Sequence, residues 1–177
     1  MGILKQIIIY FFLLCIISCD SHEKLILPKT QLKTDFRTDG YYYNKNQGGY
    51  STYFFYKNGI VYTYGSGYKG TDLTELDNSL KELFRLYSNI KQARFDWGLY
   101  LIENNNIKLE KWVTTSASTY PTNFFEGNLL SNDKFIFKKK TGTNDYVKKN
   151  KSVTSISEDF NFRQFSPKPD STNNFIK

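Results

Sequence analysis

The sequence predicts a mainly β fold, an antiparallel barrel or half-barrel of about eight strands with one amphipathic helix after the third strand. Three observations lead to this prediction. Aromatic residues make up 18% of the chain and are mostly Tyr (14) and Phe (15), which favour half-buried pleated surfaces. Turn-forming residues divide residues 40–165 into short β-rich runs in hairpin order. One stretch, after Asp72, carries helical periodicity.

The N-terminus has the pattern of an export signal. Lys5 precedes an apolar run, Ile7–Ile17, which has the length of a signal-peptide core and is too short to span a bilayer. The run ends in Ile16-Ile17-Ser18-Cys19, which resembles a bacterial lipobox, in which the cysteine is acylated and becomes the new N-terminus. The isoleucine three residues before the cysteine does not fit an ordinary secretory cleavage site. Residues 1–18 are therefore predicted to be a lipoprotein signal peptide, and Cys19 the lipid attachment site.

Cysteine usage agrees with this prediction. Cys15 lies in the removed segment, so the mature chain keeps Cys19 alone and has no internal disulfide. Acylation would protect a thiol that is otherwise unpaired in an oxidising compartment. Stable anchoring needs more than one acyl chain, which lipoprotein processing supplies. We expect a cell-envelope protein anchored through Cys19 to the outer membrane, on its periplasmic or its surface face.

Length and charge fit one anchored domain. The chain has a formal net charge of +7, but acidic residues are interspersed with the basic ones and an exported protein rarely meets nucleic acid, so no nucleic-acid partner is expected. Residues 19–34 are polar without periodicity and are predicted to be a tether. Residues 35–166 form the predicted barrel domain. Residues 167–177 are predicted to be a flexible tail, disordered or lying along the surface.

The first strands begin at about Gly40. Residues 51–57 and 60–64 are β-rich runs around Asn58-Gly59, which predicts a hairpin with a type I′ turn. Tyr53 and Phe55 are expected on one face, and Phe54 and Tyr56 on the other. Because both faces are aromatic, we expect this hairpin to be covered on both sides or to line a cavity.

The glycine-rich stretch Gly65–Gly70 follows this hairpin. It lacks the spacing and the Lys-Ser/Thr pair of a phosphate-binding P-loop, and an antiparallel hairpin precedes it rather than a parallel βαβ unit. It is interpreted as a flexible connection between strand and helix, without a bound nucleotide.

The helix starts at Asp72-x-x-Glu75, which resembles a capping box, and extends to about Asn89. Apolar residues at helical spacing form a stripe that should pack on the sheet. Asp77, Lys81 and Arg85 are expected on the solvent face.

A second hairpin follows in residues 94–113. Phe95, Trp97, Leu99 and Leu101 alternate on one face, and Asn104-Asn105-Asn106 supplies the turn. On the return strand, one face carries Ile107, Leu109 and Val113, and the other carries Lys108, Glu110 and Trp112. Residues 123–130 and 135–139 form a third predicted hairpin. Residues 141–157 are predicted to be a long mobile loop, and residues 160–165 the last strand.

Several of these stretches together resemble a known group of proteins. TDGYYY, the FFYKNG hairpin, WGLYLIENNNIKLEKW, FFEGNLLSNDKFIF and FSPKPDS are similar to small lipoproteins of Bacteroidota, over about residues 35–171. The resemblance implies a lipocalin-like or related half-barrel domain. That family has no established activity, so the resemblance implies no catalytic residue, cofactor or metal.

The residues offer little catalytic chemistry. The only histidine, His22, lies in the predicted tether, so the domain has no histidine base for a catalytic triad and no Cys/His metal set. A carboxylate-based hydrolase using Asp96, Glu103, Glu110 or Glu126 is the remaining enzymatic alternative. Glu110 and Glu126 are, however, expected to point outwards and pair with lysines. The lysine-rich stretches 138–140 and 148–151 could contact anionic lipid or polysaccharide.

Taken together, the sequence predicts a lipid-anchored envelope protein without enzymatic activity or cofactor, which binds a small apolar or amphipathic ligand or a partner protein. The candidate lining residues of an aromatic barrel mouth are Tyr53, Phe55, Tyr62, Trp97 and Leu99. The alternative is a purely structural or interaction module whose interior these side chains fill. An open interior would favour ligand binding, and a filled one the structural alternative.

Overall fold

The computed structural model describes residues 23–47, 49–64, 72–86, 90–113, 121–142 and 151–177. The eight strands are β1 (Gly40–Asn46), β2 (Gly49–Phe55), β3 (Ile60–Tyr64), β4 (Trp97–Glu103), β5 (Asn106–Trp112), β6 (Thr122–Leu129), β7 (Lys134–Gly142) and β8 (Ser152–Gln164). Each is antiparallel to the next, and β1 also pairs with β8, so the sheet closes into a barrel. In the described residues, one α-helix, α1 (Leu73–Leu86), and two 3-10 turns (Ile90–Gln92 and Arg94–Asp96) lie between β3 and β4. The predicted fold class is confirmed, in its closed form.

The two ends of the barrel differ in their connections. At one end, called the lower end here, short turns join β2 to β3, β4 to β5 and β6 to β7, and the chain enters β1 and leaves β8. At the opposite, upper end lie the connections from β1 to β2, from β3 through α1 to β4, from β5 to β6 and from β7 to β8.

The turn between β2 and β3 is not of the predicted type. A type I′ turn needs positive φ at both central residues, but of Asn58 and Gly59 only Gly59 has it, at 79°. The Gly59 N–H donates to the Tyr56 carbonyl at 3.1 Å, so Gly59 follows the turn as its left-handed residue instead. The primed geometry occurs in the β4–β5 turn, where Asn104 and Asn105 have φ values of 49° and 62°.

The strands separate two apolar cores. Alternation sends Tyr53 and Phe55 into an inner core, which lies inside the barrel. Phe54 and Tyr56 belong to an outer core, between the outer surface of strands β1 to β5 and the segments that cover it. The predicted hairpin is therefore covered on both of its aromatic faces.

Helix α1 covers part of the outer core. The Asp72 carboxylate accepts hydrogen bonds from the Thr74 and Glu75 backbone N–H groups at 2.8 and 2.9 Å, which caps the helix as predicted. Leu76 and Leu80 are fully buried against the barrel. The solvent-face prediction is wrong for Asp77, because its carboxylate forms a two-pronged ion pair with Arg163 of β8, with a shortest distance of 2.6 Å. Residues 87–89, at the predicted helix end, lie outside the described residues.

The N-terminal segment, residues 23–34, differs from the predicted tether because it lies against the barrel. Leu25 and Leu27 pack on the outer core, and Leu32 packs on the inner core. The Leu32 N–H donates to the Lys57 carbonyl at 2.7 Å, at the lower end. The three leucines are separated by polar residues without a regular period, so the sequence did not predict that they contact the barrel.

Phe36 closes the lower end of the barrel. Its ring stacks on Tyr42 at 4.6 Å and meets the edge of Phe55 at 5.2 Å between ring centroids. Because Phe36 is 4% exposed and contacts rings of two strands, it is part of the inner core although it precedes β1.

The C-terminal segment, residues 167–177, lies along the surface, one of the two predicted arrangements. The Lys168 ammonium donates to the Thr38 carbonyl at 2.6 Å and to the Phe55 carbonyl at 2.5 Å, at the lower end. Phe175 packs on the outer core near Trp112, at the upper end. The segment thus covers the barrel wall from one end to the other.

Strand β8 is longer than predicted. Residues 152–157, expected to be loop, continue the strand and pair with β7 as far as Gly142. Their outward side chains are polar or exposed, so the sequence carries little apolar alternation there. Residues 143–150 of the predicted loop lie outside the described residues.

Candidate functional site

The five predicted lining residues do not share one site. Tyr53 and Phe55 lie in the inner core, whereas Tyr62, Trp97 and Leu99 lie in the outer core. The reason is strand register: Phe54 of β2 pairs with Tyr62 of β3, which pairs with Trp97 of β4, so these side chains share the outer face. A single mouth lined by all five residues is therefore corrected to two sets on opposite sides of the barrel wall.

Aromatic rings fill the lower part of the barrel. The Phe55 ring of β2 lies 5.7 Å from the Phe135 ring of β7, between centroids, although these strands are not neighbours in the sheet. Tyr53 likewise meets Phe160 of β8 at 4.9 Å, and Phe55 meets Tyr100 of β4 at 4.8 Å. Such contacts reach across the interior, so this part resembles the filled core of the structural alternative.

The upper part of the interior is polar. Val61, Leu109 and Phe125 belong to the inner core, and the residues two positions nearer the upper end on the same strands are Thr63, Lys111 and Asn123. We call these three residues the upper polar cluster. Lys111 and Asn123 are directly opposite each other on β5 and β6. The Lys111 ammonium reaches across β4 and donates to the Thr63 hydroxyl at 2.6 Å.

A glycine makes this crossing possible. Gly98 of β4 pairs with Lys111 on one side and with Val61 on the other. A Cβ at Gly98 would lie 2.8 Å from the Lys111 Cβ and 2.3 Å from the Glu110 carbonyl oxygen, closer than real contacts allow. Gly98 therefore lets β4 and β5 approach closely at the point where the lysine side chain passes over.

Burial shifts the pKa values of the ionisable groups near the upper polar cluster. Burial lowers the pKa of the Lys111 ammonium, although the nearby Asp96 carboxylate opposes this effect. Burial likewise raises the pKa of Asp96, which lies in the 3-10 turn before β4. Lys140 of β7, whose ammonium lies 6.0 Å from the Phe125 ring centroid, adds a second positive charge. Burial, helped by the Glu158 carboxylate, also raises the pKa of Tyr53 beneath.

The Asn123 side chain has an unused acceptor. The residue is 5% exposed, and among the described residues its Oδ1 atom is buried without a hydrogen-bond partner. Gly142 of β7 leaves room for it, since a Cβ there would fall 1.9 Å from Oδ1. A buried carbonyl oxygen without a donor is unfavourable by about 1–3 kcal/mol, which a donor group on a bound molecule would recover.

The four predicted carboxylates lie in different surroundings. Asp96 is near the upper polar cluster, and Glu103 is exposed at the lower end of β4. Glu126 pairs with Lys139 at 2.8 Å, as predicted. The prediction of a lysine partner is wrong for Glu110, which is 2% exposed and accepts the Ile26 and Leu27 N–H groups at 2.6 and 2.9 Å. It does point outwards, but the N-terminal segment covers it.

The lysines of the two lysine-rich stretches also have different partners. Lys138 donates to the Asn128 side chain at 2.8 Å, and Lys139 pairs with Glu126 on the outer surface. Lys151 pairs with Glu23 at 2.7 Å. Cys19, His22, Gly65–Gly70 and residues 148–150 lie outside the described residues. Within the described part of the chain, no three His, Cys, Asp or Glu side chains are close enough together to hold a metal ion.

The upper polar cluster was missed in the sequence, although one signal was present. Ile107 and Leu109 define the inward face of β5, Val113 follows the strand at the same spacing, and Lys111 is the inward residue between Leu109 and Val113. A lysine on the apolar face of a strand is the pattern of a buried charge. Thr63 and Asn123 carry no comparable signal, because their roles depend on the register of three different strands.

Comparisons with known proteins add no relative. No family model, curated protein or solved structure matches this chain. In the described ranges, no helix combines the length and apolarity needed to cross a bilayer.

Proposed function

We propose that the protein is a lipid-anchored protein of the cell envelope, acylated at Cys19, whose barrel binds a small amphipathic molecule without chemically changing it. The observation that carries the ligand proposal is the upper polar cluster. Its lysine lies beside an asparagine whose oxygen has no hydrogen-bond partner among the described residues, inside a barrel whose lower part is aromatic. Sites for small molecules commonly combine an apolar surface with a few convergent polar groups.

The cluster defines the chemistry of the ligand. Among the described residues, one of the three donors on the Lys111 ammonium is directed to Thr63, and the others are assigned to an acceptor on the ligand. The Asn123 oxygen needs a donor. The polar head is therefore an acid, amide or hydroxyl group, and the apolar part of the ligand packs towards the rings of Tyr53 and Phe125.

The structural alternative has support of its own, since rings meet across the lower interior. The two functions differ in what the upper polar cluster does. In a ligand-binding protein it contacts a bound molecule, whereas in a structural module the Lys111–Thr63 hydrogen bond is its whole role.

Mass spectrometry of the protein purified from its membrane with a mild detergent tests both parts of the proposal. We expect acylation at Cys19, and a small molecule that co-purifies. As a defined probe, dansylaminoundecanoic acid should bind, and its primary amide should bind at least as tightly because it also donates to Asn123.

Matched variants locate the site. Lys111→Met should lower the affinity for the acid probe about tenfold, the value of one charge-assisted hydrogen bond, while the fold persists because a chain of similar length replaces a buried ammonium. Lys108→Met, on the same strand but the opposite face, should leave the affinity unchanged. Equal binding by both variants, or no bound molecule, would favour the structural module. An unmodified Cys19 would refute the anchor.

A further inference from the structure

The N-terminal segment fixes where an anchor at Cys19 meets the barrel. Glu23, the first described residue, is held at the upper end: its carboxylate accepts the Thr122 N–H at 2.8 Å and the Thr122 hydroxyl at 2.9 Å. Its carbonyl accepts the Trp112 indole N–H at 2.6 Å, and Lys151 pairs with its carboxylate. Trp112 ends β5, Thr122 begins β6 and Lys151 precedes β8, so all three partners mark the upper end.

The segment below Glu23 is also attached. The Ile26 and Leu27 N–H groups donate to the buried Glu110 carboxylate, and Leu25 and Leu27 pack on the outer core. The segment therefore approaches from the upper end and descends the barrel wall. It leaves only the chain between Cys19 and Glu23 to separate the barrel from its anchor.

That chain is short compared with the barrel. Four residues span at most about 14 Å when fully extended, and the headgroup layer alone takes about 5–7 Å of this distance. Seven-residue strands, inclined as in barrels, separate the two ends by roughly 15–20 Å. The reach of the anchor is therefore too small to place the lower end against the membrane while Glu23 stays docked.

Charge at the two ends agrees with this geometry. Outside α1, its Asp72 cap and the Lys91–Asp170 ion pair, the described charged residues at the upper end are Lys24, Lys45, Arg94, Lys140 and Lys151 against Glu23 and Asp96, so basic residues outnumber acidic ones there. The two signs are nearly balanced at the lower end, with Lys33, Arg37, Lys57, Lys134 and Lys168 against Asp35, Asp39, Glu103 and Asp133. Anionic headgroups attract a basic surface that lies within a Debye length.

We infer that the upper end of the barrel is held against the lipid surface in which Cys19 is anchored, with anionic headgroups as its partner. The inference rests on the proposed acylation of Cys19. It deepens the proposed function, because the upper polar cluster then lies at the end of the barrel that faces the lipid, where an amphipathic ligand would be exchanged with the bilayer.

Site-specific fluorescence tests the orientation in the acylated, full-length mature protein, reconstituted in vesicles of phosphatidylethanolamine and phosphatidylglycerol. Because acylation occupies Cys19, the only cysteine left once residues 1–18 are removed, an introduced cysteine can be labelled alone. Gln47→Cys places a bimane in the β1–β2 turn of the upper end, and Asn132→Cys places one in the β6–β7 turn of the lower end. Both residues are exposed, so neither substitution disturbs a core.

A headgroup spin-labelled lipid should quench the label at position 47 at least about three-fold more strongly than the label at position 132, given the separation of the two ends. A long Gly-Ser insertion between Ser21 and His22 keeps the lipid but frees the barrel, and should bring the two signals together. Equal quenching at both positions, or stronger quenching at position 132, in protein whose mass shows the acyl chains, overturns the orientation alone. A mass without acyl chains overturns the proposed function, and the orientation with it.

Discussion

Glu110 and Glu126 show how the surroundings of a carboxylate determine its contribution to the stability of the fold. Both point outwards from neighbouring strands, β5 and β6. Glu126 shares a partly exposed ion pair with Lys139, of the kind that contributes little to stability. Glu110 is buried under the N-terminal segment and accepts the two backbone N–H groups of Ile26 and Leu27.

Glu110→Ala should therefore lower the free energy of unfolding by about 2 kcal/mol, because two amides lose a charged acceptor. The same change should speed hydrogen exchange at Ile26 and Leu27. Glu126→Ala, as the matched variant, should stay within about 0.5 kcal/mol of the parent protein. Urea unfolding and amide exchange provide the two measurements. Similar losses for both variants would mean that the N-terminal segment is not held by Glu110.

Helix α1 is attached to the barrel by an ion pair as well as by leucines. The Asp77 carboxylate binds the Arg163 guanidinium and accepts the Tyr41 hydroxyl at 2.8 Å, and its side chain is only 17% exposed. Burial, together with the hydrogen bond to Asp77, raises the pKa of Tyr41, so this phenol stays a donor at any physiological pH. The helix also carries an exposed pair, Glu82 with Arg85.

Replacing Asp77 by Asn should cost about 2 kcal/mol of stability, since Arg163 would keep a partly buried charge without its carboxylate. Glu82→Gln removes a carboxylate from the same helix, but from an exposed pair, and should change stability by no more than about 0.5 kcal/mol. Thermal unfolding followed by circular dichroism compares the two. If both variants unfold alike, the leucines alone position the helix.

The elements were predictable where local signals are strong. The Asp72 cap, the leucine spacing of α1 and the aromatic alternation of β2 each follow from a few neighbouring residues, and the structure confirms them. Asp77 was misplaced because helical spacing cannot reveal that Arg163, 86 residues away, would lie opposite it. The upper polar cluster was missed for the same reason, as it depends on register across β3, β5 and β6.

At the scale of the whole molecule, two terminal segments determine what the barrel exposes. Composition and hairpin spacing predicted an antiparallel barrel or half-barrel, but they could not show that the barrel closes or that residues 23–34 and 167–177 would cover the outer core. Both segments are polar on average, and their few apolar side chains have no periodicity. The division of the candidate ligand residues between two faces follows from the existence of this second, outer core.

Glu23 links the barrel to the proposed anchor, and its docking should depend on pH. Burial raises the pKa of this carboxyl, but hydrogen bonds from Lys151 and Thr122 outweigh burial and leave the pKa below its usual range. A carboxyl whose pKa is depressed by folding stabilises the folded state above its unfolded pKa of about 4.3, and this stabilisation is lost as the pH falls through the folded value. The contact is therefore fully present at neutral pH.

Acid should accordingly release the upper part of the N-terminal segment. We expect the Thr122 amide, which donates to Glu23, to lose protection from hydrogen exchange as the pH falls through the lowered pKa of Glu23, after correction for the intrinsic pH dependence of exchange. Glu23→Gln should give weaker protection at neutral pH and remove this dependence. Glu103→Gln, which removes an exposed carboxylate at the lower end, should preserve it. If Thr122 protection is the same in all three proteins, Glu23 does not hold the barrel to the chain that leads to the proposed anchor, and acid would leave the proposed orientation unchanged.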